Sequence, residues 1–439
     1  MFKQFIAKLR SDRFYFDSFV LTFFTVLGNA FAFFVNIIYT RFLPLGQYGA
    51  VMSINSIINI LGTIAISFRM FNVKETTGMI SRGEFSKAIV FSYKFALYSF
   101  IFMLVFFVLS IPFYPIIMGF INVDSYLVLI IAITIVIFTY LTSITSSLYQ
   151  SLKMFLALGI INFSYPFLRF VITYPYLVSW KGYIGATASM LVGIMLSFVI
   201  SSIILLYSRE IRNLDFDSNQ KIEFSYFLPL IPIVLINVFY SVLNYADVIF
   251  SRRYFSPEDT DIFAIASTVA KANLFVVIPI SYVVLPRMID EYIKSGYKAS
   301  IVALFKGVLL SFIVCLIYGV FILLFGDLVL RIFGERYLLA KDILWFFTFA
   351  FIPLAVSFIL INYAVAFKNW YLLIPLGLTD IILILGFVFF HGNFYEMILV
   401  DLVAGLFLFI FSLIVILVSK EPPVLDKEEV ISEEANIQN

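Results

Sequence analysis

The sequence predicts an all-α polytopic membrane protein whose twelve transmembrane helices form two pseudo-symmetric six-helix bundles. Three observations predict it. The 439 residues are 62% hydrophobic and only 13% charged, with a mean hydropathy of +1.05, where a soluble chain keeps about a quarter of its residues charged. Apolar runs long enough to cross ~30 Å of hydrocarbon recur twelve times. A polar segment, RNLDFDSNQKIEF at 212–224, divides those runs six and six.

The first run, 16–40, follows a basic start, MFKQFIAKLRSDRFYF, and no small-residue cleavage site comes after it. It therefore reads as a span and not as a removable signal. Runs at 49–68, 88–111, 125–149, 155–178 and 183–207 complete the first half. The second half holds 226–250, 262–285, 301–325, 342–364, 370–390 and 394–418. The expected organisation is a lobe at 1–211, a cytoplasmic linker at 212–225, a lobe at 226–418 and a disordered acidic cytoplasmic tail at 419–439. The longest loops are expected near 69–87, 208–225 and 286–300, too short for an extramembrane domain.

Orientation follows from the Lys/Arg bias of the loops. With the N-terminus in the cytoplasm, 19 basic residues fall inside, 7 outside and 3 within spans (Lys94, Arg169 and Lys271). Both termini are thus expected in the cytoplasm of a plasma membrane. A net charge of +2 provides no global field for nucleic acid. One cysteine (Cys315) and one histidine (His391) exclude an internal disulfide and a Cys/His metal cluster.

The halves resemble each other. TRFLPLGQYGAVMSI aligns with SRRYFSPEDTDIFAIA at an offset of 212, bringing Arg41 to Arg253 and Gly49 to Asp261. QSLKMFLALGIINF aligns with VAFKNWYLLIPLGL at 215, bringing Lys153 to Lys368. Transporters are often built from such repeats, with the substrate site between them near the midplane.

Two cations stand mid-span, Arg169 in NFSYPFLRFVITYPYLV and Lys271 in FAIASTVAKANLFVVIPI, each with eight or more uncharged residues on both sides. At that depth a cation costs at least ~2.5–3.5 kcal/mol unless it meets water or a partner. Either they face a common cavity that takes anionic cargo, or each ties two helices together. Polar residues recur every three or four positions along one face of five spans. They are Thr22, Thr25, Asn29, Asn36 and Thr40; Ser56, Asn59, Thr63 and Ser67; Thr139, Ser143, Ser146 and Gln150; Asn162, Tyr165, Arg169, Thr173 and Tyr176; and Asn237, Ser241, Asn244 and Asp247. One such stripe is ordinary interhelical hydrogen bonding; five together point to a lined cavity. Asp247, Asp380 and Asp401 are each open to three roles: pairing a cation, binding a coupling ion, or snorkelling. Prolines inside spans, such as Pro166, Pro279 and Pro353, allow bends.

No GxxxxGK[ST], HExxH or GxSxG motif occurs, and the external loops are short and poor in ionisable groups. These absences argue against an ATPase or a membrane enzyme.

Four segments carry a resemblance: NIIYTRFLPLGQYGAV (36–51), SLYQSLKMFLALGIINFSYPFLRF (147–170), LPLIPIVLINVFYSVLNYADVIFSRRYFSPED (228–259) and VVLPRMIDEY (283–292). In order and spacing they resemble the Wzx-type polysaccharide exporters, the lipid-linked oligosaccharide flippases of the MOP (MATE-like) superfamily. Asp261 departs from that pattern, which often has Gly there. The resemblance implies a V-shaped pair of bundles with alternating access. It implies an undecaprenyl-pyrophosphate-linked glycan as cargo, for O-antigen, lipopolysaccharide, capsule or exopolysaccharide, moved across a bacterial inner membrane. It implies membrane lipid, a polysaccharide polymerase and a chain-length regulator as partners. No cofactor is implied beyond H⁺ or Na⁺ coupling or the membrane potential. By position it adds Arg41 and Arg69 to the diphosphate and sugar site, beside Arg169, Lys271, Asn36, Asn59, Gln150, Asn162 and Asn244. The competing reading is a multidrug or metabolite antiporter, whose site would favour carboxylates.

Overall fold

The computed structural model describes residues 13–123, 125–180, 182–208 and 230–419; side chains are described from Val20. The expected linker at 212–225 and the tail beyond 419 lie outside the described residues. The chain divides into two units, Met1–Leu230 and Ile231–Asn439. Among the described residues each is all-helical, and together they hold 12 helices or helix pairs long and apolar enough to cross a membrane. This is a multi-pass membrane protein. Helix is the form expected, because backbone N–H and C=O groups in hydrocarbon must bond within their own segment.

Unit 1 comprises α1 (Arg13–Phe42), α2 (Tyr48–Ser81), α3 (Phe85–Ser110), a short α4 (Tyr114–Phe120), α5 (Tyr126–Ser151), α6 (Phe155–Ser179) and α7 (Tyr183–Tyr207). Unit 2 comprises α8 (Leu230–Tyr254), α9 (Pro257–Ala270), α10 (Asn273–Ser295), α11 (Tyr297–Phe333), α12 (Lys341–Ala350), α13 (Ile352–Ala366), α14 (Leu373–Phe389) and α15 (Phe394–Val418). In unit 1, α2 packs on α5, and α5 and α6 pack on α7; in unit 2, α10 packs on α13, and α13 and α14 pack on α15. These three pairings recur in both units. Two spans that are continuous in unit 1 are interrupted in unit 2. The counterpart of α2 breaks between α9 and α10, at Lys271 and Ala272. The counterpart of α5 breaks at Phe351, two residues before Pro353, which has no N–H to continue the ladder.

Two expected loops are helix instead. α2 runs on to Ser81, well past position 69, and the turn to α3 is only three residues, closed by Gly83 at φ 79°. α10 continues to Ser295, and Gly296 at φ 81° leads directly into the 37-residue α11. Charge marks where a chain leaves hydrocarbon, but Lys, Arg and Glu are good helix formers. The helices therefore end at glycines and not at the first lysine. Ion pairs brace these ends: Lys87 with Glu84 at 2.9 Å and Lys294 with Asp290 at 2.7 Å.

Polar groups tie unit 1 together at positions the stripes did not single out. Asn72 on α2 donates to Ser92 on α3 and Ser147 on α5, both at 2.6 Å. Thr76 meets Ser151 at 2.6 Å, and Tyr149 donates to the Ser201 carbonyl on α7 at 2.5 Å. Within the stripes, Thr25, Asn36, Thr63, Ser67, Thr139 and Asn244 each donate to the carbonyl four residues earlier in their own helix. Short polar side chains in hydrocarbon commonly reach back this way.

Candidate functional site

Two polar clusters stand out, one in each unit, and they differ in sign. In unit 1, Arg169 lies near the middle of α6, half-buried. Its Nε and Nη2 donate to the hydroxyl of Tyr39 on α1, at 3.4 and 3.3 Å, and its Cζ stands 5.4 Å from the centre of that ring. Tyr39 is fully buried and donates in turn to the Ala186 carbonyl on α7 at 3.2 Å, beside Ser189 Oγ at 3.3 Å. Thr173, one turn after Arg169, donates to the Arg169 carbonyl at 2.6 Å and meets Ser189 at 3.2 Å. Tyr165 lies one turn before Arg169 on the same helix. The Tyr39 oxygen takes only part of the five N–H donors of the guanidinium. The rest of the fork has the geometry that grips paired anionic oxygens.

Helix packing sets this geometry. Gly193 on α7 faces Arg169 so closely that a Cβ there would lie 3.3 Å from the arginine Cβ and 3.4 Å from its Cα and N. Small residues let spans approach this far. Gly193→Val is expected to destabilise the protein by about 1–3 kcal/mol, because backbone cannot yield as a flexible side chain can. The loss should show as a lower Tm for the purified protein, with Gly193→Ala in between. An unchanged Tm for the valine variant would contradict this packing.

Among the described residues no carboxylate forms an ion pair with Arg169. From Val20 to Tyr207 the six candidate spans hold one acid, Glu75, in the extension of α2 beyond Arg69, and Asp17 stands near the start of α1. Arg69 is half-buried on α2, with twelve helical residues after it, so it stands within a helix and not at its end. Arg41 is exposed in the last turn of α1. It lies two residues from Tyr39, about 200° around the helix, and so on the face turned away from Arg169. Asn36, Asn59, Gln150 and Asn162 are half-buried on α1, α2, α5 and α6.

In unit 2 the cation is neutralised. Lys271 sits at the break between α9 and α10, where the backbone shifts from i→i−4 to i→i−3 bonding. Its ammonium donates to Asp247 Oδ1 on α8 at 2.6 Å, and Ser267 donates to Asp247 Oδ2, also at 2.6 Å. Asp247 is 1% exposed. The break is pinned by Asn273, which donates to the Ala270 carbonyl at 3.2 Å and to Thr348 at 3.0 Å, and by Tyr318, which donates to Val269 at 2.8 Å. Asp401 on α15 is buried within electrostatic reach of both Asp247 and Lys271, and its Oδ2 accepts no hydrogen bond. Asp380 on α14 is buried with Oδ1 unpartnered, and Asn244 is buried with its own Oδ1 unpartnered.

Of the roles left open by the sequence, Asp247 takes that of pairing a cation, and Lys271 ties the α9–α10 break to α8. Lys271 has no acid in its own helix, but Asp247 reaches it from the preceding one. Asp247 and Asp401 also do not snorkel: both are buried, held inward by helix packing. Tyr39, Ser189, Gly193 and Ser267 belong to these clusters and were not singled out in the sequence. Tyr39 sits within the first motif, yet nothing in a single tyrosine marks it as the partner of an arginine 130 residues later.

No family model and no curated protein matches the chain. Solved structures do. An inward-facing multidrug resistance MATE family transporter of the MOP superfamily superposes with a TM-score of 0.74 and 11% identity, over 90% of this chain and 95% of that one. The lipid II flippase MurJ, in an inward closed conformation, gives 0.67 and 16%, over 91% and 87%. A MOP superfamily transporter from Pyrococcus furiosus, described as having a binding pocket of reverse polarity, gives 0.60 and 11%, over 92% and 96%. The fold is that of the MOP transporters. At these identities the likeness is one of fold, and what the chain carries must be argued from its own residues.

Proposed function

We propose that this protein is a flippase for lipid-linked oligosaccharides, moving a polyprenyl diphosphate-linked repeat unit between leaflets by alternating access. The observation that carries this reading is Arg169. It is a span-interior guanidinium held by Tyr39, in a unit whose candidate spans hold one acid between Val20 and Tyr207. A cation kept in hydrocarbon without a carboxylate suits an anionic ligand, and a diphosphate suits a fork of donors. Asn36, Asn59, Gln150 and Asn162 are the half-buried amides available to sugar hydroxyls. The MurJ fold supports a lipid-borne cargo, and its name states one for that protein.

Unit 2 has the opposite character. One ammonium faces two carboxylates, and Asp380 stands alone. This is the place for a coupling ion. Flipping that followed neither an imposed proton gradient nor an imposed sodium gradient would remove that role. The same carboxylates are the one observation favouring the competing reading, an antiporter of organic cations.

The test uses the purified protein in vesicles. A fluorescent short-chain polyprenyl diphosphate oligosaccharide in one leaflet should appear in the other at a rate set by the protein. A cationic dye should not be carried. Dye transport without lipid flipping would overturn the proposal in favour of the antiporter.

The Lys/Arg bias of the loops supports a topology with both termini in the cytoplasm. A reporter fused after residue 215 should report cytoplasm, and one after residue 255, in the turn between α8 and α9, the opposite face. The reverse pattern would invert the topology.

A further inference from the structure

The ion pair of unit 2 has no counterpart in unit 1. At the offset of 212 that aligns Arg41 with Arg253, Asp247 falls on Val35, which is fully buried, and Lys271 falls on Asn59. Both charges occur in one unit, and both are missing from the other. A buried ion pair gives a fold little net stability over an apolar pair of similar volume. Packing alone therefore does not account for it.

What Lys271 reaches is a region rich in oxygen. Its ammonium donates to Asp247 Oδ1 and the Ser267 hydroxyl donates to Asp247 Oδ2, each at 2.6 Å. Asn244 comes three residues before Asp247, on the same face of α8, and is buried with Oδ1 unpartnered. Asp401 is buried within electrostatic reach of the pair, with Oδ2 unpartnered. Two carboxylates, an amide and a hydroxyl are the hard oxygen donors that small inorganic cations take. Lys271 enters from the C-terminal end of α9, where the helix dipole also favours a cation. Its side chain keeps 15% of its surface exposed, so the pair is not sealed from small ions. We infer that Lys271 is a tethered cation seated in a latent sodium site, and that it keeps this site closed to sodium. An ammonium carried by the chain itself binds intramolecularly and outcompetes a free ion of the same charge. Without it, the same oxygens hold two buried negative charges and need a cation. The inference rests on the ion pair and is independent of the cargo. It removes sodium from the coupling ions open to unit 2.

The test is the Tm of the purified full-length protein in sodium chloride and in choline chloride at equal ionic strength. The native protein should melt at the same temperature in both. Lys271→Ala, which removes the ammonium and leaves room for an ion, should melt lower than the native protein in choline. Sodium should then raise its Tm by about 2–4 °C or more, the shift that a ligand in several-fold excess over its Kd gives in a unit of this size. Asp247→Asn/Lys271→Ala should lose most of that response. If Lys271→Ala folds only in sodium, its recovery there takes the place of the Tm shift and supports the inference. Four results would each overturn it: a sodium-specific rise in the native protein, no rise in Lys271→Ala, an equal rise in the double variant, or a Lys271→Ala protein that folds in neither salt. The last would show that sodium cannot stand in for the ammonium.

Discussion

Arg169→Gln is expected to slow flipping of a diphosphate-linked glycan by roughly tenfold to a hundredfold, with normal insertion. The estimate follows from what it removes: a charge-assisted contact in a partly desolvated site is worth about 1.5–3 kcal/mol, and each 1.36 kcal/mol is tenfold in rate. Glutamine keeps the length and some hydrogen bonding to Tyr39 but brings no charge. Arg169→Lys should fall between, because it keeps the charge and loses the fork. Tyr39→Phe should do less harm than either, since it removes an orienting oxygen and leaves the guanidinium in place. Flipping in vesicles, at matched protein and with Tm as a check on folding, measures all three. A glutamine variant that flips at the native rate would show that Arg169 does not read phosphate. The antiporter reading, with its weight on the carboxylates of unit 2, would then be the stronger one.

The second large effect concerns stability. Asp247→Asn should destabilise unit 2 by about 3–5 kcal/mol, because it leaves the Lys271 ammonium among packed helices without its partner at 2.6 Å. Lys271→Met should do similar harm by stranding Asp247, which is 1% exposed and would keep only the Ser267 bond. Asp247→Leu/Lys271→Met removes both charges and should recover much of the loss, since an apolar pair can replace a buried ion pair at little net cost. The Tm values of the singles and the double form a cycle whose non-additivity measures the coupling. Additive losses would mean that the contact carries no energy of its own.

Both predictions rest on contacts that differ in how far the sequence reveals them. Arg169 could be read directly, since a lone cation amid so many apolar residues is visible in one dimension. Its meaning could not. Tyr39 comes 130 residues earlier, and Gly193 looks like any small residue in a span. Lys271 shows the converse: the sequence presents it as isolated, because Asp247 lies 24 residues away on another helix. The polar stripes were correctly placed on helical faces. Several of their members bond their own backbone, while Asn72, Ser92 and Ser147, outside the stripes, join three helices. Periodicity identifies which face a residue shares. It does not say whether a hydroxyl turns back to its own carbonyl or across to a neighbour.

By itself the sequence determined the fold class, the number of spans, the six-and-six division and the internal repeat. These depend on hydropathy and length, which each segment carries locally and which hydrocarbon enforces segment by segment. Tertiary structure alone decided where helices end, which charges are neutralised and how polarity divides between the units. It left unit 1 with an arginine held by the phenol of Tyr39 and unit 2 with a lysine bound by aspartate. It also put Lys153 and Lys368 into the same left-handed turn. The physical reason is the range of the interactions. Hydrophobic transfer of a span sums over neighbours in sequence. The energy of a buried charge is set by the few atoms within ~4 Å, and those come from other helices.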